Sequence, residues 1–260
     1  MQPTLQFEHH PLLPRVRSTL RGIFGDLRPG ERLSPVDQLV RSELGGRTYD
    51  EVSWTAFYLL KARFDDWDAL IEAGVAEVEP LIADVTYAHA KAVWLVEALK
   101  TIKVWRGVLS LDFLGDLPTE VAFRKLRNLM GVGSKVAASV LNFSTFARPI
   151  LVVDTHVARI AYRLGLVAAV QDLDRAHAEL MAVVDPAWDA DDLYELHRLM
   201  KRHGQETCHA LAPSCKTCAL ADVCPQAASS MRRTAVSKPR SEAEVLSFSR
   251  PSVKASSTAG

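Results

Sequence analysis

The sequence predicts an all-α protein, on three observations. Successive stretches of the 260-residue chain place apolar side chains three and four residues apart, between recognisable helix starts and stops. The one run that reads as a strand, Ile150 to Val153, is too short and too isolated to build a sheet. Two helical patterns also meet at Gly131-Val132-Gly133, where the glycines permit a left-handed or closely approached backbone.

In chain order, a short helix is expected from Leu13 to Leu27, carrying Arg15, Arg17 and Arg21. Ser34-Pro35-Val36-Asp37 is a helix start: Ser34 as N-cap, Pro35 at the first position and an acid in the first turn. Val36, Leu39, Val40 and Leu44 give that helix its apolar face, and Gly45-Gly46 ends it. Asp50 is expected to cap the next helix, with Trp54, Phe57, Tyr58 and Phe64 as its bulk. Short helices follow at Trp67 to Ala73 and Val75 to Ile82. A loop, Asp84 to His89, precedes a long helix from about Ala90 to Trp105, and Gly107 to Leu117 reads as a connector. Pro118-Thr119-Glu120 opens a helix running to Met130, and Val136, Val140 and Leu141 mark the face of the helix after the glycine turn. Three more are expected at about 155–164, 172–184 and 190–203. From Gln226 the composition turns to Ser, Ala, Arg and Pro, which cannot bury enough apolar surface to fold alone, so 227–260 is expected to be a disordered tail.

A chain of this length can bury a core, and a hydrophobic content of 48% is ordinary for a globular protein. Lys and Arg number 31, Asp and Glu 31, so the formal net charge is zero. That balance lacks the overall basic footprint usual for a duplex-DNA binder, although Arg124, Lys125, Arg127, Lys135 and Arg148 form a local basic group. No stretch approaches the roughly 18 apolar residues of a membrane span. The N-terminus lacks the basic region and apolar run of a secretory signal, so a soluble cytoplasmic protein without membrane contacts is expected.

Three features carry chemistry. The Gly-Val-Gly turn and the helix start after it offer backbone N–H groups that can hold an anion, with Lys135 in the first helical turn. Asp154 stands at the start of a helix, directly after the apolar run. All four cysteines fall together, Cys208, Cys215, Cys218 and Cys224, separated by six, two and five residues. A cytoplasmic chain argues against disulfides. Four clustered thiolates suit zinc or an iron–sulfur cluster, and the spacing alone leaves both open.

Taken together, these motifs resemble the helix-hairpin-helix (HhH-GPD) DNA glycosylases, most closely the endonuclease III branch. The match runs through Leu129, Gly131, Val132, Gly133, Lys135 and Ala137, then Val153-Asp154-Thr155-His156, then the cysteine spacing. It covers roughly residues 34 to 225. The resemblance implies two helical lobes with a DNA-binding cleft between them: a six-helix lobe over 37–147 containing the hairpin, and a second lobe joining 1–36 to 148–226. It implies a structural 4Fe–4S cluster on the four cysteines. It implies a monomer, cytoplasmic and nucleoid-associated, that binds double-stranded DNA carrying a damaged base or an abasic site. Gly131, Val132, Gly133 and Ser134 would grip phosphate. Lys201, Arg202, His203 and Lys216, around the cysteine loop, are further phosphate candidates, and the basic tail would add weak affinity or nothing.

The reaction the resemblance implies is base excision with strand cleavage, on oxidised pyrimidines. The sugar C1′ is unreachable inside the stack, so the nucleotide must be flipped out. Lys135 would supply an amine nucleophile, and Asp154 a carboxylate to assist deprotonation and stabilise charge on the sugar. Read from the residues alone, Lys135 is equally a phosphate-binding lysine and Asp154 a helix cap. His156 reads as a packing or hydrogen-bonding residue. The family's Ser/Gln turn is here Gly45, Gly46 and Arg47, followed by the matching Thr48 and Asp50. Arg47 either plugs the gap left by the flipped nucleotide or is a solvated turn residue. Tyr87 either wedges into the stack or belongs to the core or rim. The altered turn keeps two alternatives open: a glycosylase of the same fold for a different lesion or mismatch, and a non-catalytic iron–sulfur DNA-binding protein.

Overall fold

A computed structural model describes residues 10–229, and their regular elements are helices. Eleven α-helices are present among them: α1 (Leu12–Phe24), α2 (Pro35–Leu44), α3 (Asp50–Arg63), α4 (Trp67–Ala73), α5 (Val75–Leu81), α6 (Ala88–Arg106), α7 (Thr119–Leu126), α8 (Ser134–Phe143), α9 (Thr155–Arg163), α10 (Leu173–Val183) and α11 (Ala190–Glu206). Short 3-10 helices span Asp112–Asp116, Cys215–Thr217 and Ala221–Val223. The only β-pairing among the described residues is an isolated bridge between Leu33 and Ser144. Residues 225–229 are also helical, and Ala227 is buried, so the tail cannot begin at 227. The rest of that expected tail, from 230, lies outside the described residues.

Two apolar cores organise these helices. One gathers the buried faces of α2 to α8, including Leu39, Leu60, Leu99, Leu126 and Leu141. The other joins α1 to α9, α10 and α11 through Leu13, Leu20, Ile160, Leu180 and Leu196. Ile150 to Val153 is extended and serves both. Ile150 and Val152 enter the first core, whereas Leu151 and Val153 enter the second. Side chains on an extended backbone alternate sides, and here each side meets a different core.

Several helix boundaries follow their local signals. The Ser34 hydroxyl accepts the Asp37 N–H at 3.2 Å, with Pro35 inside the first turn. Other expectations need correction. Helix α1 stops at Phe24, because Gly25 takes a positive φ of 77°. Tyr49, not Asp50, is the N-cap of α3; Asp50 lies inside the first turn and its carboxylate is engaged elsewhere. On α3, Phe57 and Phe64 are buried, but Trp54 is 36% and Tyr58 61% exposed, the two stacked on each other outside the core. Helix α7 ends at Leu126, short of Met130.

Helix α1 is held to α11 by a buried carboxylate. Glu195, with 0% exposure, accepts from Arg17 Nε at 2.7 Å and Arg21 Nε at 2.6 Å, while Arg17 also pairs with Asp192. Burial raises the Glu195 carboxyl, but the hydrogen bonds of Arg21 and Arg17 bring it below its ordinary value. Removing one partner of such a pair leaves charge uncompensated, so Glu195→Ala should destabilise the fold by about 3 kcal/mol in urea titration.

Candidate active site

The hairpin turn is fixed by packing as much as by glycine. Leu129 and Val132 are buried on either side of Gly131. Gly131 has a φ of 78°, and a Cβ there would lie 2.8 Å from Cβ of Trp94 on α6. Gly133 has an ordinary φ of −87° and is the N-cap of α8, so only the first glycine is demanded by conformation. Ser134, next in line, is buried.

Lys135 follows in the first turn of α8 and points inward. Its Nζ donates to the Ser42 carbonyl, in the last turn of α2, at 3.3 Å. Burial lowers its pKa to about 8; the charge of Asp154 opposes the shift, whereas Lys201 and Arg41 add to it. Asp154 arrives from the extended segment and caps α9, its Oδ1 accepting the N–H groups of His156 and Val157 at 2.9 Å each. Burial pushes the Asp154 carboxyl up, but His197, the Val157 N–H, His156 and Lys201 more than offset it, so it lies below its ordinary value. His197 hydrogen-bonds the Val152 carbonyl at 2.9 Å, and its burial pulls its pKa down to about 4. His156 meets Arg159 Nη2 through Nδ1 at 3.1 Å.

Sequence reasoning missed what surrounds this pair. Lys201, on α11, reaches Asp50 at the start of α3, with both carboxylate oxygens at 2.7–2.8 Å from Nζ. It therefore does not sit with the cysteine loop. Arg41, on α2, lies 3.8 Å from Asp50 and 4.3 Å over the Trp54 ring. A cation next to an acid 151 residues away has no local signature; only the tertiary contact reveals it.

The Gly45-Gly46-Arg47 turn is clamped from beneath. Lys91, only 2% exposed, donates to the carbonyls of Leu44 and Gly46 and to Thr48 Oγ1. Beside it, Glu43 is buried with both carboxyl oxygens unpartnered, and burial holds it well above the usual carboxylate range. Arg47 and Tyr87 both adopt positive φ, 54° and 62°, and Arg47 Nη1 donates to the Tyr87 hydroxyl at 3.3 Å. Tyr87 is 58% exposed, so it is no core residue, and Arg47 is exposed beside it.

The expected basic group is not a free patch. Arg148 donates to the Gly115 carbonyl, Arg127 pairs with Asp174, Lys125 lies over Trp105 and Lys135 points inward; Arg124 stays exposed, 3.8 Å from Glu120 one turn back on α7. Likewise Arg202 pairs with Glu206, and His203 is buried against Cys218.

The four cysteines line one cavity, walled also by Ile160, Leu164, His203 and Leu220. Arg163 of α9 donates to Cys208 Sγ at 3.0 Å and to the carbonyls of His209 and Ala210. Burial, then the neighbouring thiols, raise the Cys218 thiol above its ordinary value. Among the described residues no three His, Cys, Asp or Glu side chains converge as ligands of a single ion. Zinc would draw four sulfurs to about 2.3 Å from one point. An eight-atom iron–sulfur cube is held by four thiolates around a larger hollow, and four cysteines lining one largely apolar cavity fit such a group.

With this geometry in view, comparison with known proteins is informative. The model of the HhH-GPD superfamily base excision DNA repair proteins matches residues 40–186. Endonuclease III of Synechocystis sp. is 30% identical over 214 residues, covering 80% of this chain and 91% of that protein. Endonuclease III-like protein 1 of Gallus gallus is 31% identical over 185 residues, 71% of this chain. The chain spans 61% of that relative's length and 59% of an Arabidopsis thaliana relative's. Among solved structures, a trapped endonuclease III–DNA covalent intermediate superposes with a TM-score of 0.69 at 22% identity, covering 85% of this chain and 98% of that one. A thermostable thymine-DNA glycosylase superposes at 0.63 with 15% identity, covering 84% and 97%. These two likenesses establish the shared fold.

The turn provides a direct check on the site. Gly131→Ala forces both a strained φ and a clash with Trp94, so it should cost roughly 2 kcal/mol or more of stability, measured by thermal melting.

Proposed function

Because the chain belongs to the HhH-GPD superfamily of base excision DNA repair proteins, we propose that it removes a damaged base from duplex DNA and then opens the strand at the abasic site. The observation that carries this reading is the setting of Lys135: an amine in the first turn after the hairpin, turned inward with a single carbonyl partner at 3.3 Å, its pKa lowered to about 8 by burial, and within the field of the ionised Asp154. A purely phosphate-binding lysine gains nothing from being desolvated, whereas a nucleophilic one must shed its proton.

The chemistry follows from these positions. Gly131, Gly133 and Ser134 present backbone N–H groups to a phosphate and hold the strand while the nucleotide is extruded, whereas the Val132 N–H is taken by the Leu129 carbonyl at 3.2 Å and closes the turn. Arg47 and Tyr87, joined on the exposed rim, fill the gap it leaves. The Lys135 amine attacks C1′; the bond from C1′ to the base breaks and the base departs with the electron pair and a proton. The C1′–O4′ bond of the resulting aminal then opens, O4′ taking up a proton from water to become a hydroxyl, and the iminium left at C1′ acidifies C2′. Loss of that proton breaks the C3′–oxygen bond, and the 3′ phosphate leaves. Water then releases the lysine. Asp154, anchored by two N–H groups, faces the positive charge that develops on the sugar. Damaged pyrimidines are the proposed substrates. The four cysteines would hold a 4Fe–4S cluster, which when bound supplies a structural crosslink for the segment after α11.

Borohydride trapping on duplex DNA with one abasic site tests the proposal. The wild type should form a covalent adduct that Lys135→Ala loses by at least about 100-fold. A wild-type protein that leaves no adduct is instead a monofunctional glycosylase or a non-catalytic DNA binder. Since only the free amine attacks, the trapping rate should climb with pH up to about 8 and level off above it. Iron and acid-labile sulfide should each be found at about four per chain after anaerobic purification, and Cys218→Ala should lose both.

A further inference from the structure

The reaction just described leaves Arg41 unexplained. The residue is only 9% exposed, yet its Nε has no hydrogen-bond partner. Its nearest carboxylate oxygen, on Asp50, lies at 3.8 Å, beyond hydrogen-bond reach. The guanidinium lies over the face of the Trp54 ring, itself stacked on Tyr58, and Gly45 leaves it room, since a Cβ there would come within 2.9 Å of Nη1. A buried cation without acceptors is costly and calls for an explanation. One is an acceptor that arrives with the substrate. Asp50 lies next to Arg41, and beyond it stands the Lys201 ammonium, bonded to both Asp50 oxygens. Asp50 and Lys201 line an open groove between α3 and α11. The Lys135 amine reaches the carbonyl of Ser42, the residue next to Arg41 on α2, which puts it at the Arg41 end of this row. From α2, α3 and α11 the order is thus donor, acceptor, donor, beside the amine.

We infer that Arg41, Asp50 and Lys201 read the edge of the extruded base and select an imide edge: a carbonyl, an N–H and a second carbonyl in a row, as in thymine- or uracil-derived bases. The inference rests on the base-excision reading above and adds which bases the site admits. Arg41 donates to one carbonyl, Asp50 accepts the ring N–H, and Lys201 turns from Asp50 to the other carbonyl. A cytosine-derived base presents an amino group and a bare ring nitrogen instead. Its amino hydrogens would then face a cation and its lone pair a carboxylate. A site built to hydrogen-bond one edge rejects the other strongly, because its own buried groups are left unpaired.

The test reads binding separately from cleavage, in the Lys135→Ala background. Fluorescence anisotropy compares duplexes that differ at one nucleotide: dihydrouracil, 5-hydroxycytosine or a tetrahydrofuran abasic analogue. Dihydrouracil should be bound at least about tenfold more tightly than 5-hydroxycytosine, and adding Arg41→Leu should bring that ratio below about twofold. Equal binding of the two bases, or a ratio that survives Arg41→Leu, overturns the inference. So does an equal loss on the dihydrouracil and tetrahydrofuran duplexes, which would place the guanidinium on a backbone phosphate. Arg41→Leu gives up the Trp54 ring and the 3.8 Å approach to Asp50 but also removes a buried charge without a hydrogen-bond acceptor, so its thermal midpoint should not fall. Should it fall, Lys201→Met carries the same ratio test. Failure of the wild type to form the borohydride adduct would overturn the lyase reading, and the binding ratio would still decide this one.

Discussion

The extended segment Ile150 to Val153 is the constraint on which the rest of the structure depends. Its four side chains alternate between two cores, two into each. A slip of one residue would send every one of them to the wrong side, so the register is set by burial on both faces. That register delivers Asp154 to the boundary between the cores, where its carboxylate caps α9 and meets the environment of Lys135. The segment looks like a strand in sequence and forms no sheet. Its hydrogen-bonding edge is taken up in part by His197, which bonds the Val152 carbonyl, and by Met181, whose sulfur lies 3.2 Å from the Leu151 nitrogen.

A formal charge of zero says little about a protein whose charges are so unevenly used. Many cations are structural. Arg17 and Arg21 tie α1 to α11; Arg32 bridges Asn142 of α8 and Asp191 of α11; Arg148 closes onto Gly115. Three lysines illustrate how environment divides one side-chain chemistry. Lys91 is buried and spends its hydrogens on the carbonyls of a turn. Lys201 keeps a carboxylate across the cleft. Lys135 has only a carbonyl at 3.3 Å in a desolvated site, so it is the one whose hydrogens are least committed. Lys91 shows that a lowered pKa is not by itself a mark of catalysis: burial takes it to about 8 as well, with its hydrogen bonds fully committed.

The cysteine loop and the candidate catalytic helix share one support. Helix α9 starts at Asp154 and, one and two turns on, presents Arg159 and Arg163 to the backbone around Cys208. Gly204 lets α11 approach the same helix, since a Cβ there would meet His156 at 2.8 Å. The loop is therefore anchored to the element whose cap is Asp154, which makes its folding and the placement of that carboxylate mutually dependent.

By itself the sequence determined the features written in local chemistry. Helical periodicity, the Ser34 cap and the glycine stops gave the all-helical class and most helix positions. Fixed spacings marked Lys135, Asp154 and the four cysteines as candidates. Only the tertiary structure decided what those groups face. Asp50 looked like a cap because caps are local; it is instead the partner of Lys201, which a different core places opposite it. Trp54 and Tyr58 carry apolar bulk on the same helix as Phe57, yet they lie outside the core because α2 packs against a different face and sets Arg41 over Trp54. The basic residues near the hairpin looked like a phosphate patch until their partners at Gly115, Asp174 and Trp105 appeared. The division has one physical reason. Backbone preferences, caps and turns depend on neighbours within about four residues. The charge state and role of a side chain depend on whatever long-range packing brings beside it and on how much water that packing removes.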